Sequence, residues 1–379
     1  MDQLINLLLT LGLVVNLIII FSLARTRTRP KQILSLIFVC IFFAIVQDYA
    51  ASNGMNSLYG LSFLVADAIG FLVGPLFWVY LKSLSPLETK PLRQHWQHFI
   101  PFGIYFLVIT LPIAISYWAG GEWSLYRDFI EGYENWLQLQ AVYLLGYCWL
   151  SYQLWQRYQR NIRQQYSNLH QRDLYWIKVL LIGVVITVCL NIFLAILEAS
   201  GFVPAFGTAY LMTYVLIALV LYLWYYGSSQ SRILLPEYLL APPINEVAAD
   251  PKQSIQHHLS NTDAAEIDAL KQRLFEVIKT DRPYLKEDLS LNQLAEMMPT
   301  TDKKLSALLN HYVEQNFYDL INQYRVEEVK TRLGSPAYAH FTILGVALDC
   351  GFKSKSSFNR IFKKVTGRSP SAYKKELSQ

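Results

Sequence analysis

The feature that most restricts this chain is the length of its apolar runs. A soluble helix buries one stripe and keeps a polar face for water. A run of roughly 20 mostly apolar residues has no such face and matches the hydrocarbon thickness of a bilayer. About seven such runs fill the first 226 residues, at 4–23, 33–51, 58–81, 99–118, 136–155, 174–197 and 206–226. Helices satisfy all their backbone polar groups internally, so segments of this kind fold as helices in lipid. Aromatic residues crowd the run ends, as in Trp78 and Tyr80, Tyr117 and Trp118, and Trp224, Tyr225 and Tyr226, where amphipathic rings suit the headgroup layer. The pattern predicts an all-α chain whose residues 1–226 form a bundle of about seven transmembrane helices.

The loops give the orientation. Arg25, Arg27, Arg29 and Lys31 follow the first run, Lys82, Lys90 and Arg93 the third, and Arg157, Arg160, Arg163 and Arg172 the fifth. The alternate loops hold Arg127 among Glu122, Asp128, Glu131 and Glu134. The excess of Lys and Arg on one side predicts an outside N-terminus and a cytoplasmic C-terminus, as in a multi-pass protein of a bacterial inner membrane. The first run opens with Met1-Asp2-Gln3 and lacks a basic leader, which predicts a retained anchor.

Polar residues stand within or near the runs: Asn16, Asp48, Asp67, Asn191 and Glu198. Ionisable groups in lipid are costly and often serve function. Asp67 sits deepest and is the candidate for ligand recognition or signal relay, against a structural hydrogen bond. Asp48 and Glu198 lie near the outer ends, where an interfacial role competes. Ala66, Gly70 and Gly74 form a row of small residues suited to close helix packing, read here as packing within the chain.

Composition divides the molecule. The chain is 53% hydrophobic and 16% charged with a formal charge of +5, but its last 120 residues or so look like an ordinary soluble domain. The four cysteines show no metal spacing, and there is no HExxH, GxSxG or Walker glycine run. His95-x-x-His98 lies at a membrane edge and reads as interfacial. An enzyme is not expected, nor a cofactor. Between the halves, 227–261 carries Pro236, Pro242, Pro243 and Pro251, which predicts a linker without a long helix. Residues 262–379 form the second domain.

In that domain apolar residues recur at i, i+3, i+4, i+7 in five stretches. These are Leu291/Leu294/Ala295/Met298, Leu305/Leu308/Leu309/Tyr312, Phe317/Leu320/Ile321/Tyr324, Ile343/Val346/Ala347/Cys350 and Phe358/Ile361/Phe362/Val365. They predict two pairs of short helices bridged by a longer one. Thr342 suits an N-cap, Gly351 a left-handed turn, Gly367 a helix stop, and Ser369-Pro370 a new helix start. Opposite the last stripe lie Ser356, Asn359, Arg360 and Lys363, side chains able to donate to base edges and phosphates.

Residues 342–375, TILGVALDCGFKSKSSFNRIFKKVTGRSPSAYKK, resemble the C-terminal signature of the AraC/XylS family of bacterial transcription regulators. The segment 289–333, with NFYDLINQYRVEEVKTRL, is similar to that family's first helix-turn-helix and linking helix. The resemblance covers about 90 residues. It implies two helix-turn-helix units in one protomer, each placing its second helix in a major groove of double-stranded promoter DNA. The readers it implies are Thr301, Lys303, Lys304 and Ser306 in the first unit. In the second they are Lys353, Lys355, Ser356, Asn359, Arg360 and Lys363. Pro299 and Glu314 depart from the family pattern, which commonly has Gly there. Gly345, inside a helix, is costly by up to about 1 kcal/mol. Arg325, Lys330 and Arg332 on the linking helix suit phosphates or salt bridges with Glu327 and Glu328.

The expectation is a membrane-bound one-component transcription regulator. Its partners would be promoter DNA, membrane lipid, RNA polymerase, a second copy as homodimer, and a small or lipophilic ligand recognised near Asp67. The family's habit favours activation. The competing class is a transporter or receptor whose helical tail binds proteins.

Overall fold

In the computed structural model, residues 2–25, 28–84, 92–118, 133–169, 174–200, 208–229 and 264–377 are described. The linker expected at 227–261 lies almost wholly outside them. The described residues are helical, with one isolated antiparallel bridge and no strand. They divide into two units. The first comprises Met1–Gln156 and Leu174–Leu234, and the second Arg157–Asp173 and Leu235–Gln379.

The first unit begins with α1 (Asp2–Ala24) and α2 (Arg29–Ser52), entered through Pro30, whose missing N–H costs nothing in a first turn. Asn6 and Asn53 exchange side-chain amide hydrogen bonds at 3.0 and 3.2 Å and tie the far ends of this pair. Next come α3 (Asn56–Ala66) and α4 (Ile69–Ser83). The sequence pattern predicts one span here, but the two helices meet at a 46° bend. A 3-10 segment (Leu92–Phe99), α5 (Ile100–Tyr105), a π turn (Phe106–Thr110) and α6 (Leu111–Trp118) make the next span. Then follow α7 (Tyr133–Gln165), α8 (Tyr175–Ala199) and α9 (Thr208–Ser229).

The packing of this unit places polar groups inside and apolar groups outside. Asn16, Ser62, Asp67 and Thr110 are buried, while Phe21, Val142 and Trp149 are each more than 60% exposed. An apolar exterior of this extent suits lipid. Among the described residues, four helices are long and apolar enough to cross a membrane, or five where the bent pair is taken as one span. Several membrane-compatible helices are thus present, and the count of seven is not reproduced among these residues. Gln138, Gln140 and the charged end of α7 dilute its apolar content, and 217–226 is a shorter apolar helix among the described residues.

The small-residue row does pack within the chain. A Cβ at Gly70 would lie 2.6 Å from Gln140 Oε1, and one at Gly74 would lie 3.0 Å from Tyr147 Cβ, so α4 and α7 approach closely because both positions are glycine.

The second unit opens with α10 (Ala264–Asp281), which the five stripes do not include. Its signal is present in Ile267, Leu274, Val277 and Ile278, all buried against α11 (Leu291–Glu296), α12 (Asp302–His311) and α13 (Phe317–Leu333). Three further helices follow: α14 (Ile343–Asp349), α15 (Lys355–Thr366) and α16 (Pro370–Leu377). Phe352, Phe358 and Phe362 stack edge-on at 5.2 and 5.5 Å beneath α15, and Tyr373 closes the series. Each buried ring contributes roughly 1.5–3 kcal/mol, which fixes the rotation of α15.

Candidate nucleic-acid interface

Both helix pairs are built by local capping. Ser290 caps α11 in a full capping box with Gln293. Thr301 caps α12, its hydroxyl accepting from the Lys304 N–H at 3.3 Å. Thr342 caps α14 by accepting from the Gly345 N–H at 3.0 Å. A Cβ on residue 345 would lie 3.1 Å from that same hydroxyl, which gives Gly345 a local reason. Ser354 caps α15 by accepting from the Ser357 N–H at 3.2 Å.

The turns differ. In the second pair Gly351 has φ +88°, the left-handed turn expected from the sequence. In the first pair no residue from 297 to 301 has positive φ; that turn is five residues long, like 350–354, but carries Pro299, whose ring holds φ negative. After α12, Glu314 holds φ +57°, a left-handed position occupied without glycine.

On α15, Lys355, Ser356, Asn359, Arg360 and Lys363 are exposed on one face, while Phe358, Ile361 and Phe362 are buried on the other. Among the described residues the side chains of Lys355, Asn359 and Lys363 carry no intramolecular hydrogen bond, which leaves their heads for a ligand. Arg360 is held by donating from Nη2 to the Tyr318 hydroxyl at 2.9 Å. Ser356 shares a hydrogen bond with Ser354 at 3.2 Å. Lys353 pairs with Asp288 at 3.1 Å and Lys364 with Asp319 at 2.8 Å. Exposed pairs of this kind are worth about 0–1 kcal/mol, so phosphates can displace them.

The first helix pair brings fewer of its expected readers to the surface. Thr301 and Lys303 are exposed, and Lys304 pairs with Glu266 at 3.3 Å. Ser306 does not share that face. It is 7% exposed, and its hydroxyl and carbonyl accept from the Asn310 side chain. Ser306 lies on the inward side of α12 between Leu305 and Ala307, both fully buried.

Lys330 and Arg332 bond Glu327 and Glu328 at 2.7 and 2.8 Å, the salt-bridge reading. Arg325 fits neither reading made from the sequence. It is 1% exposed and donates to the carbonyls of Tyr284 and Lys286 at 2.7 Å, and of Glu287 at 3.2 Å. Burial lowers its pKa to about 10, with Tyr318, Asp288 and Glu287 opposing that shift. A buried arginine of this kind holds loops together rather than meeting solvent. Its acceptors are backbone atoms, which leave no mark in a sequence pattern.

In the first unit Asp67 sits at the break between α3 and α4, 6% exposed. Its carboxylate accepts from Thr110 at 2.6 Å and Tyr105 at 3.5 Å, and its carbonyl accepts from Gln140 at 2.8 Å. Thr110 is the last residue of the π turn and is fully buried. Asp48 is half-buried on α2, and the side chain of Glu198 lies outside the described residues. His98 bonds the Tyr147 hydroxyl at 2.7 Å. A separate cavity of about 180 Å³ is lined by Ile41, Val73, Phe77, Leu144, Cys148 and Leu181, without Asp67.

Paired short helices, each with a capped second helix presenting polar side chains, define a helix-turn-helix architecture. Comparison with known proteins agrees: residues 294–376 match the family model described as a helix-turn-helix domain. Among curated proteins the chain is similar to an "Uncharacterized HTH-type transcriptional regulator" of Staphylococcus aureus strain COL, 34% identical over 91 residues. A protein of the same description from strain MSSA476 is equally similar. The match covers 24% of this chain and 12% of each relative. No solved structure matches.

Proposed function

We propose that this chain is a membrane-bound, one-component transcription regulator of AraC/XylS type, with its helix-turn-helix domain in the cytoplasm and its N-terminus outside. The observation that carries the reading is the face of α15, where Lys355, Ser356, Asn359, Arg360 and Lys363 stand exposed above a fully packed aromatic core. Side chains of these types donate to guanine O6 and N7, to adenine N7 and to phosphate oxygens. The second unit carries most of the base reading, because Ser306 is withdrawn from the first. RNA polymerase and a second copy of the chain are the further partners of this reading, and activation is its output.

The membrane half senses a small or lipophilic molecule within its bundle. The broken helix at Asp67, the π turn opposite it and the apolar cavity beside α4 and α7 support that role, since irregular helices and cavities are common at functional sites of a bundle. The test is selection of duplexes from random DNA by the full chain in phospholipid nanodiscs. Recovery of one sequence is expected. Arg360→Ala should then weaken that duplex by roughly 1–3 kcal/mol and relax one base position, while Lys374→Ala weakens all duplexes alike. Recovery of no preferred sequence by the wild type would falsify the DNA-reading proposal.

A further inference from the structure

Residues Arg157–Asp173, the last turns of α7 and the segment after it, belong to the second unit. The contact centres on Ser167, which is 1% exposed and has every polar atom engaged. Its N–H and its hydroxyl both donate to the Leu289 carbonyl, at 3.2 and 2.7 Å. Its carbonyl accepts from Asn322 Nδ2 at 2.9 Å and Arg325 Nη1 at 3.2 Å. Its hydroxyl also accepts from Arg325 Nη2 at 3.1 Å. Tyr166 pairs with Ser290, the N-cap of α11, in the isolated antiparallel bridge. Ile162, Gln165, Asn168 and Leu169 are buried with it.

We propose that 165–169 completes the DNA-binding unit, docking on a receptor made of Asn322, Arg325 and the Leu289 carbonyl, so that the domain expected from 262–379 alone is incomplete without it. The inference rests on the regulator reading above and adds a segment to the unit that reads DNA. Arg325 is a buried cation whose donors must all meet acceptors, and Ser167 supplies two of them. Leu289 directly precedes the cap of α11 in the first helix pair, and α13, which carries Asn322 and Arg325, joins that pair to the second. The hydrogen bonds of Ser167 go to Leu289, Asn322 and Arg325, all outside α12 and α15, so its seat leaves the reading faces open.

The experiment is hydrogen exchange of the full chain in phospholipid nanodiscs, comparing wild type with Ser167→Arg and Asn322→Leu. In the wild type, peptides covering 162–169 and 286–293 should exchange slowly. In each variant they should exchange at least tenfold faster, with α15 peptides unchanged as evidence that the domain is folded. A wild-type 162–169 segment that exchanges at the rate of an open loop overturns the proposal, whatever the variants do. So does slow exchange at both segments in a variant. Affinity for the selected duplex should stay within threefold of wild type in both variants; a larger loss overturns the open-face geometry. If the wild type selects no duplex while its docking segment is protected, the DNA reading fails and the docking contact stands.

Discussion

Gly351 offers the sharpest test of how the second helix pair is held. Its φ of +88° is left-handed, where any other L residue pays about 1–2 kcal/mol. It is also crowded: a Cβ there would lie 2.6 Å from the Tyr284 carbonyl oxygen, 2.9 Å from Arg325 Nε and 3.0 Å from the Leu285 carbonyl oxygen. Two of these are backbone atoms and cannot swing away. Making room separates Arg325 from the Tyr284 carbonyl, a hydrogen bond of 2.7 Å whose charged donor makes it worth about 1.5–3 kcal/mol. Together Gly351→Ala should cost about 3–5 kcal/mol, or two to four decades in the opening constant of α14 and α15. Gly367, at φ +77° with nothing within 4 Å of its would-be Cβ, is the internal control. Gly367→Ala should cost only about 1 kcal/mol. Native-state hydrogen exchange of the α14 and α15 amides in the full chain measures both. If Gly351→Ala exchanged no more than threefold faster than Gly367→Ala, the close approach of these loops would be refuted.

Three other outcomes are expected. Glu314→Gly, which relieves a left-handed non-glycine residue at φ +57°, should stabilise the first helix pair by about 0.5–1 kcal/mol, read as slower exchange in α12; faster exchange refutes it. For Asp319, burial acts to raise the carboxyl, but hydrogen bonds from Lys364 and Asn316 outweigh it and hold the pKa below its ordinary 3.8. Its folded-state pKa is depressed, so its stabilisation is present above pH 3.8 and is lost as pH falls through the lower folded value. Asp319→Asn should therefore destabilise the domain at pH 7 and make no difference in strong acid. An equal effect at both extremes contradicts the assignment. Asp67→Ala removes the acceptor of the buried Thr110 hydroxyl and should lower the stability of the membrane unit by about 1.5–3 kcal/mol. An unchanged thermal midpoint in nanodiscs would show that the break between α3 and α4 does not depend on it.

Much of the candidate interface was legible in the sequence because it is governed by local rules. The cap at Thr342 satisfies a first-turn N–H group of its own helix, and the stripe Phe358/Ile361/Phe362 needs only the 3.6-residue period to declare its inward face. The exposed set on α15 follows as its complement. The helical period did not place Ser306, whose reader role was implied by the family resemblance: a small polar residue gives no periodic signal of its own, and the width of the buried stripe on α12 is set by what packs there. It also passed over α10, whose apolar positions become a core only when α11, α12 and α13 lie against them.

What the sequence determined by itself is the presence of a membrane-compatible half and a helix-turn-helix half. Run length, backbone hydrogen bonding and helical periodicity act within a few turns of the chain. What only the tertiary structure decided are the relations across long separations. The bend at Asp67 depends on Thr110 and Gln140 arriving from other helices. The burial of Arg325 depends on carbonyls 38–41 residues away. The seat of Ser167 depends on Asn322, 155 residues further on. Backbone acceptors are the same in every residue, so a bond to a carbonyl carries no side-chain signature, and only the folded path of the chain assigns the partner.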